Sequence, residues 1–141
     1  MMRKLALICR MGTWDNMLTS IGFALLASSD ASEPCEVHML MTSWAVELLK
    51  KGALDQAPFP AVYRHREREL KDIAAKLRFQ DLYTGVRMAH ATGRYHLYAC
   101  ALASQLFGVT AENIIPEAEF MGPITFLREI ASEADVVLTL S

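Results

Sequence analysis

Short apolar runs alternate with segments of helical periodicity along this chain. The first run, residues 5–9, is apolar at every position, which is typical of a strand buried on both faces of a parallel sheet. The second run, residues 37–41, is interrupted only by His38. The strands predicted from all such runs are residues 5–9, 37–41, 95–99, 114–120 and 135–140.

Helical patterns fill the intervals between these strands. In residues 14–29, Met17, Ile21 and Ala24 recur at the spacing of one helix face. Ser43 is predicted to cap the next helix, which follows the second strand. The other predicted elements are a stop at Gly52, a surface loop at 52–63, helices at 64–78, 82–91 and 100–107, a break at 79–81, and a helix opened by Gly122-Pro123.

The alternation of strands and helices predicts an α/β fold. A chain of 141 residues has the length of one domain, so residues 1–141 are expected to form a single three-layer domain. Its five-stranded sheet is expected to be mainly parallel, with helices on both faces.

Composition and charge exclude several classes of protein. Apolar residues make up 52% of the chain, which excludes intrinsic disorder, and a net charge of −2 gives no electrostatic reason to expect nucleic acid as a partner. No apolar stretch is long enough to span a membrane, and the apolar run before Arg10 is too short for a signal peptide. Cys9, Cys35 and Cys100 match no zinc or CxxC spacing, so a reducing cytoplasm is the expected compartment.

Ligands of an open parallel sheet bind beyond the carboxyl ends of its strands, and one cysteine is predicted there. Cys100 follows the third strand and starts a helix, where the helix dipole and free backbone N–H groups favour a thiolate. The same position suits a buried structural cysteine, so both interpretations stay open. The chain lacks GxGxxG and P-loop motifs, and its four histidines show no metal-ligand spacing. Neither a nucleotide cofactor nor a metal ion is therefore predicted.

Other side chains fall in loops at the same predicted edge of the sheet. Trp14, Asp15 and Trp44 are expected to line one pocket with Cys100, provided that the first and third strands are near neighbours. The alternative is that both tryptophans are packing residues. The remaining candidate pocket residues, which follow the second, third and fourth strands, are Ser43, Ser104, Met121 and Gly122.

A block after Gly93 combines a cysteine at a strand end with a later glycine. Its members are Tyr98-Ala99-Cys100, Ser104, Phe107-Gly108, Glu112, Ile114-Ile115 and Glu119 through Gly122. The block resembles the cysteine block and following glycine of the DsrE/DsrF-like proteins. The regions around Asp15 and Trp44 resemble that family more loosely, and residues 11–15 replace its more glycine-rich turn.

The resemblance implies an α/β protein that carries sulfur on Cys100 as a persulfide, taken from a persulfide donor and passed to a thiol acceptor protein, with no cofactor. It also implies a homo-oligomer, which the apolar composition favours as well. Two alternatives to a sulfur carrier or sulfurtransferase stay open. One is a non-catalytic binding subunit of a sulfur-relay assembly. The other is a thiol redox protein in which Cys9 or an external thiol resolves an oxidised Cys100. Whether the chain is an enzyme is therefore left open.

Overall fold

A computed structural model describes residues 3–77 and 81–141, and over these ranges the chain forms a five-stranded sheet in which every pairing is parallel. Its strands are β1 (Arg3–Cys9), β2 (Cys35–Met41), β3 (Tyr95–Cys100), β4 (Ala118–Met121) and β5 (Val136–Leu140). They lie in the order β4-β3-β2-β1-β5. The predicted α/β class with a parallel five-stranded sheet is therefore confirmed.

The register of the central strands explains why their sequences do not alternate between apolar and polar residues. Leu7, Met39 and Leu97 are registered neighbours on one face, and each is at most 2% exposed. On the opposite face Ala6 is 0% exposed and Leu40 is 4% exposed. Both faces are thus covered where the central strands cross the core, and apolar residues are required at successive positions.

Helices connect the strands and cover the sheet. They are α1 (Trp14–Ser29), α2 (Glu67–Lys76), α3 (Leu82–Ala91), α4 (Ala101–Phe107) and α5 (Pro123–Thr125). Helix α1 packs on α3, where a Cβ atom added at Gly85 would lie 2.8 Å from Cγ2 of Ile21, so glycine permits this close approach. Helix α5 continues into a π-helical turn, Phe126–Ile130, and a 3-10 turn, Ala131–Glu133, before β5.

The helix limits predicted at 14–29 and 82–91 are confirmed, but the predicted strand at 114–120 is wrong in extent. The strand begins only at Ala118. Before it, the N–H of Ile115 donates to the carbonyl of Leu49, so this segment bonds to the end of the 3-10 helix after β2 rather than to β3.

The predicted helix after β2 is wrong in type. Ser43–Leu49 is a 3-10 helix, and Thr42 rather than Ser43 stands at its N-cap, with no capping bond from the side chain. Ser43 has a φ of 51°, a left-handed conformation in which its hydroxyl does not cap the helix. The N–H of Ala45 donates instead to the carbonyl of Arg10, which ties this helix to the loop after β1.

The region predicted as a surface loop at 52–63 is partly ordered and partly buried. It contains the 3-10 turn Leu54–Gln56, and Phe59 is only 5% exposed because its ring stacks on Trp14 with centroids 4.9 Å apart. The charged helix predicted at 64–78 is shorter, since Ala61–Arg66 is a 3-10 helix and α2 begins at Glu67.

The predicted break at 79–81 lies outside the described residues except for Asp81. This residue is the N-cap of α3 and accepts a hydrogen bond from the N–H of Tyr83.

The surface retains much apolar area. In β5, Val136 is 44% exposed, Val137 46% and Leu138 37%, although these residues lie on both faces of the strand. Leu26 on α1 and Leu106 on α4 are exposed as well. Within residues 3–77 and 81–141, no helix has the length and apolar character needed to cross a membrane.

Candidate functional site

Cys100 is the last residue of β3 and the N-cap of α4, at the carboxyl edge of the sheet. The sequence places it there because an apolar strand ends directly before a helical segment, which Gly108 terminates with a φ of 71°. Met121 on the edge strand β4 is its registered neighbour. The Cys100 side chain is buried, with 3% of the residue exposed. The position predicted for a nucleophile is therefore occupied by a covered thiol.

One face of the sheet carries both Cys100 and Tyr98, because residues two apart on a strand point to the same side. Phe126, from the π-helical turn after α5, packs edge-on against the Tyr98 ring with centroids 6.1 Å apart. Phe126 is 0% exposed. The helical segment between β4 and β5 thus covers the face on which the Cys100 sulfur lies.

The other two cysteines lie away from this face. Cys9 ends β1 and is 0% exposed, and burial raises the pKa of its thiol to about 11 despite a hydrogen bond with the Met11 backbone. Cys35 begins β2 at the opposite edge of the sheet. Burial, and then the nearby charge of Asp135, raise the pKa of the Cys35 thiol above its ordinary value.

Four of the predicted pocket residues flank the ends of β2, β3 and β4. Ser43 opens the 3-10 helix that packs against α4. Ser104 lies one helical turn after Cys100, and its hydroxyl is buried without a hydrogen-bond partner in the described part of the chain. Met121 ends β4 and Gly122 is the N-cap of α5. These residues occupy neighbouring strand ends, and their role in a pocket with Cys100 stays a prediction.

The two tryptophans lie in different surroundings. One strand, β2, lies between β1 and β3, and a pocket shared by the tryptophans and Cys100 stays a prediction. Trp14 stacks on Phe59, whereas Trp44 is 60% exposed and packs at a tilt on Phe107 of α4, with ring centroids 4.9 Å apart. Asp15 is exposed in the first turn of α1. Trp44 is thus the member of this predicted set that contacts the helix following Cys100.

A groove of about 220 Å³ opens beside Trp44 at the carboxyl edge of the sheet. Gly12, at the base of the groove, is closely packed, because a Cβ atom added there would lie 2.8 Å from Cδ1 of Leu48 and 3.3 Å from the Ala45 Cα. The single glycine of this loop therefore lets the loop after β1 and the 3-10 helix approach closely. The lining residues are Met11, Gly12, Thr13, Trp44, Glu47, Leu48 and Pro58.

Sequence reasoning missed a polar cluster in the middle of the sheet. His38 and His96 are registered neighbours on β2 and β3, and their rings stack with centroids 4.5 Å apart. Glu36 Oε1 lies 2.8 Å from His38 Nε2 and 3.4 Å from His96 Nε2, and His38 Nδ1 lies 2.8 Å from the Tyr98 hydroxyl. The absence of metal-ligand spacing in sequence therefore did not exclude convergence of ligand atoms across two strands.

Electrostatics in this cluster follow from burial. Burial lowers the pKa of His38 below its ordinary value, although the hydrogen bond that His38 donates to Glu36 acts in the opposite direction. Burial also raises the pKa of Tyr98 to about 12, with Glu119 and Glu36 acting in the same direction. The spacing Glu36-x-His38 was a usable signal, because it puts both side chains on one face of a strand. Pairing with His96 had no local signal.

Comparisons with known proteins identify the fold. No protein-family model and no curated protein matches this chain. Among solved structures, the YchN protein of E. coli aligns over 99% of this chain and 100% of its own, with 15% identity and a TM-score of 0.69. MTH1491 of Methanobacterium thermoautotrophicum, a protein of unknown function, aligns over 96% of this chain and 98% of its own, with 11% identity and a TM-score of 0.60. Both have the DsrE-like fold, and this chain shares that fold.

Proposed function

We propose that this protein is a sulfur carrier or sulfurtransferase that holds persulfide sulfur on Cys100. The observation that carries the proposal is the place of Cys100 at the carboxyl end of β3, where α4 begins, in a chain with the DsrE-like fold. Ligands of parallel sheets gather at this edge. The groove beside Trp44 opens at the same edge, and Trp44 packs on α4, so a segment of a donor or acceptor protein has an apolar surface at the edge of the sheet where Cys100 lies.

The chemistry is exchange at sulfur. The Cys100 thiolate attacks the outer sulfur of a donor persulfide, a new S–S bond forms, and the donor thiolate leaves with the electron pair of the broken bond. An acceptor thiolate then attacks the outer sulfur on Cys100, which departs as a thiolate. The two steps balance without an external oxidant or reductant, so no cofactor is needed.

Burial of Cys100 sets a condition on this reaction. At 3% exposure the residue offers almost no surface to a donor, so a covering element has to move. The helical segment after β4, which covers this face through Phe126, is suited to this, because β4 has four residues and lies at the edge of the sheet, hydrogen-bonded to β3 alone among the described strands. Short edge elements open at low free-energy cost compared with the core.

The same burial favours a second candidate function, a non-catalytic binding subunit of a sulfur-relay assembly. In that case Cys100 is a small core residue, and the exposed apolar side chains of β5 and α1 serve partner contacts. The two candidates differ in whether sulfur ever attaches to Cys100.

The test is incubation of the intact protein with a small-molecule persulfide, followed by mass spectrometry of the chain and its peptides. The proposal predicts a gain of one sulfur atom on Cys100, its loss on addition of an acceptor thiol, and no gain in Cys100→Ser. Cys35→Ser is the matched control, because Cys35 is the more exposed thiol. Sulfur on Cys35 alone, or none on a folded protein, contradicts transfer and supports the binding subunit.

Resolution of an oxidised Cys100 by Cys9 is disfavoured by the sheet register. Cys9 and Ala99 are both registered to Met41, so two strand spacings, about 9.5 Å, separate Cys9 from the end of β3. A disulfide needs Cα atoms within about 7 Å. The side chains of Cys9 and Cys100 also point to opposite faces, so this pair cannot close without rearranging the sheet.

We also propose that the protein forms a homo-oligomer. Exposed apolar residues on β5 support it, since a contact that covers Val136, Val137 and Leu138 would bury surface that solvent now reaches. Light scattering at micromolar concentration is expected to give a multiple of the chain mass of 15.7 kDa. The mass of a single chain would contradict this part of the proposal.

A further inference from the structure

We propose that Glu36, His38 and His96 form a binding site for a divalent transition-metal ion of the zinc class, with Tyr98 orienting one imidazole from outside. The proposal concerns the middle of the sheet and does not depend on sulfur transfer. His96 precedes Cys100 by four residues, which is about 13 Å along a strand, so the cysteine thiol is not a ligand of this site.

The ligand atoms already converge. One atom from each of the three residues lies within 4.8 Å of the other two. Ligands of tetrahedral zinc, with bonds of about 2.0–2.1 Å, stand about 3.3 Å apart. Glu36 Oε1 and His96 Nε2 are 3.4 Å apart and fit this separation. Glu36 Oε1 and His38 Nε2 are 2.8 Å apart, so their distance lengthens by about half an ångström when an ion replaces the shared proton.

Ring orientation decides how the ion enters. The imidazoles are 16° from parallel, and nitrogen lone pairs lie in the ring planes, so one ring has to turn for both nitrogens to face one ion. His96 has the freedom to turn, because 39% of its side chain is exposed. The His38 side chain is 8% exposed and keeps its place. The ion therefore enters from the solvent side, where Glu36 and His96 are reachable.

The surroundings of His38 match those of a metal-bound histidine. Its Nδ1 atom lies 2.8 Å from the Tyr98 hydroxyl. With Nε2 on the ion, Nδ1 carries the proton and donates it to the Tyr98 oxygen. Such outer partners select the tautomer and hold the ring of a ligating histidine. Two imidazoles and a carboxylate suit Zn²⁺, Co²⁺, Ni²⁺ or Cu²⁺ better than Mg²⁺ or Ca²⁺, and three protein ligands leave a position for water or another ligand.

The test is a Co²⁺ titration of the intact protein after dialysis against a chelator, read by absorption. The proposal predicts one equivalent of Co²⁺ with visible d–d bands, no near-ultraviolet thiolate band, and displacement by Zn²⁺. Glu36→Gln and His96→Gln are expected to lose measurable binding, and Tyr98→Phe to weaken it about 10-fold. His90→Gln, which alters an exposed histidine on α3, is the matched control and should bind as the unmodified protein does.

Three results would overturn the proposal. The first is the absence of stoichiometric Co²⁺ binding by the folded protein. The second is binding that His96→Gln leaves unchanged. The third is a thiolate band, which would place the ion on a cysteine. His96→Gln is the decisive variant because its partly exposed side chain can be replaced without opening the core, and circular dichroism verifies its fold. Persulfide loading of Cys100 is measured separately, so either proposal can fail alone.

Discussion

Replacing Phe126 with alanine tests whether the helical segment after α5 covers the face of the sheet that carries Cys100. The Phe126 ring is 0% exposed and packs edge-on against Tyr98 at an interplanar angle of 68°. Among the described residues it is the largest side chain that is fully buried. Truncation therefore leaves a cavity between this segment and the sheet, above the strand that ends at Cys100.

The expected cost follows from burial and contact. A fully buried Phe→Ala replacement loses the transfer free energy of the ring and gains the cost of a cavity, together about 3–5 kcal/mol. About 0.5–1.5 kcal/mol of this should belong to the aromatic pair itself and should disappear when Tyr98 has already been replaced by leucine. At about 4 °C per kcal/mol for a chain of this size, Tm should fall by about 12–20 °C.

Urea denaturation of the single and double variants, followed by fluorescence and circular dichroism, measures these free energies. Leu127→Ala is the matched control, because this neighbour is 51% exposed and its truncation should change the free energy of unfolding by less than about 0.5 kcal/mol. Alkylation of Cys100 under native conditions should be faster in Phe126→Ala than in the control.

A decrease of less than about 1 kcal/mol in the free energy of unfolding of Phe126→Ala would refute the reasoning, because truncation of a fully buried ring costs about 3–5 kcal/mol. An unchanged alkylation rate at Cys100, in a variant destabilised as expected, would show that another element covers the sulfur. Equal effects of Phe126→Ala and Leu127→Ala would show that the segment is not anchored through Phe126.

Four further outcomes test other parts of the structure. Ser43→Gly should raise the free energy of unfolding by about 1 kcal/mol in urea titrations, because glycine adopts a φ of 51° without steric cost, and a loss would contradict the left-handed conformation. Gly12→Ala should lower it by about 1–3 kcal/mol through overpacking against Leu48, and a neutral result would exclude that contact. Burial lowers the pKa of His38, so the unfolded chain binds more protons than the folded one, and the free energy of unfolding should fall as pH drops below about 6.5. With a chelator present, His38→Gln should make the free energy of unfolding less dependent on pH in this range. An unchanged pH dependence would contradict the assignment of this effect to His38. Burial raises the pKa of Cys9 to about 11, so its native alkylation should be at least about 100-fold slower than in urea, and comparable rates would show that the thiol is accessible.

Local patterns in the sequence determined the elements of this fold and the place of the thiol. The apolar run in β1 predicts a strand because burial on both faces demands apolar side chains at successive positions. Cys100 was placed at a strand end because helical spacing follows the apolar run of β3 and Gly108 ends the helix in a left-handed conformation. These inferences involve neighbours within a few residues, so they needed no knowledge of the rest of the chain.

Tertiary structure alone decided which strand ends and which strand faces meet. Trp14 and Trp44 both follow strands, yet Trp14 stacks on Phe59 and Trp44 packs on Phe107, and the sequence did not indicate these partners. His38 and His96 are neighbours only because β2 and β3 pair in one particular register across a connection of more than fifty residues. Parallel register is set by packing of whole helices on the sheet, and a shift of one residue would turn one histidine to the opposite face. The sequence could therefore supply the residues of that cluster, but their convergence depended on long-range packing.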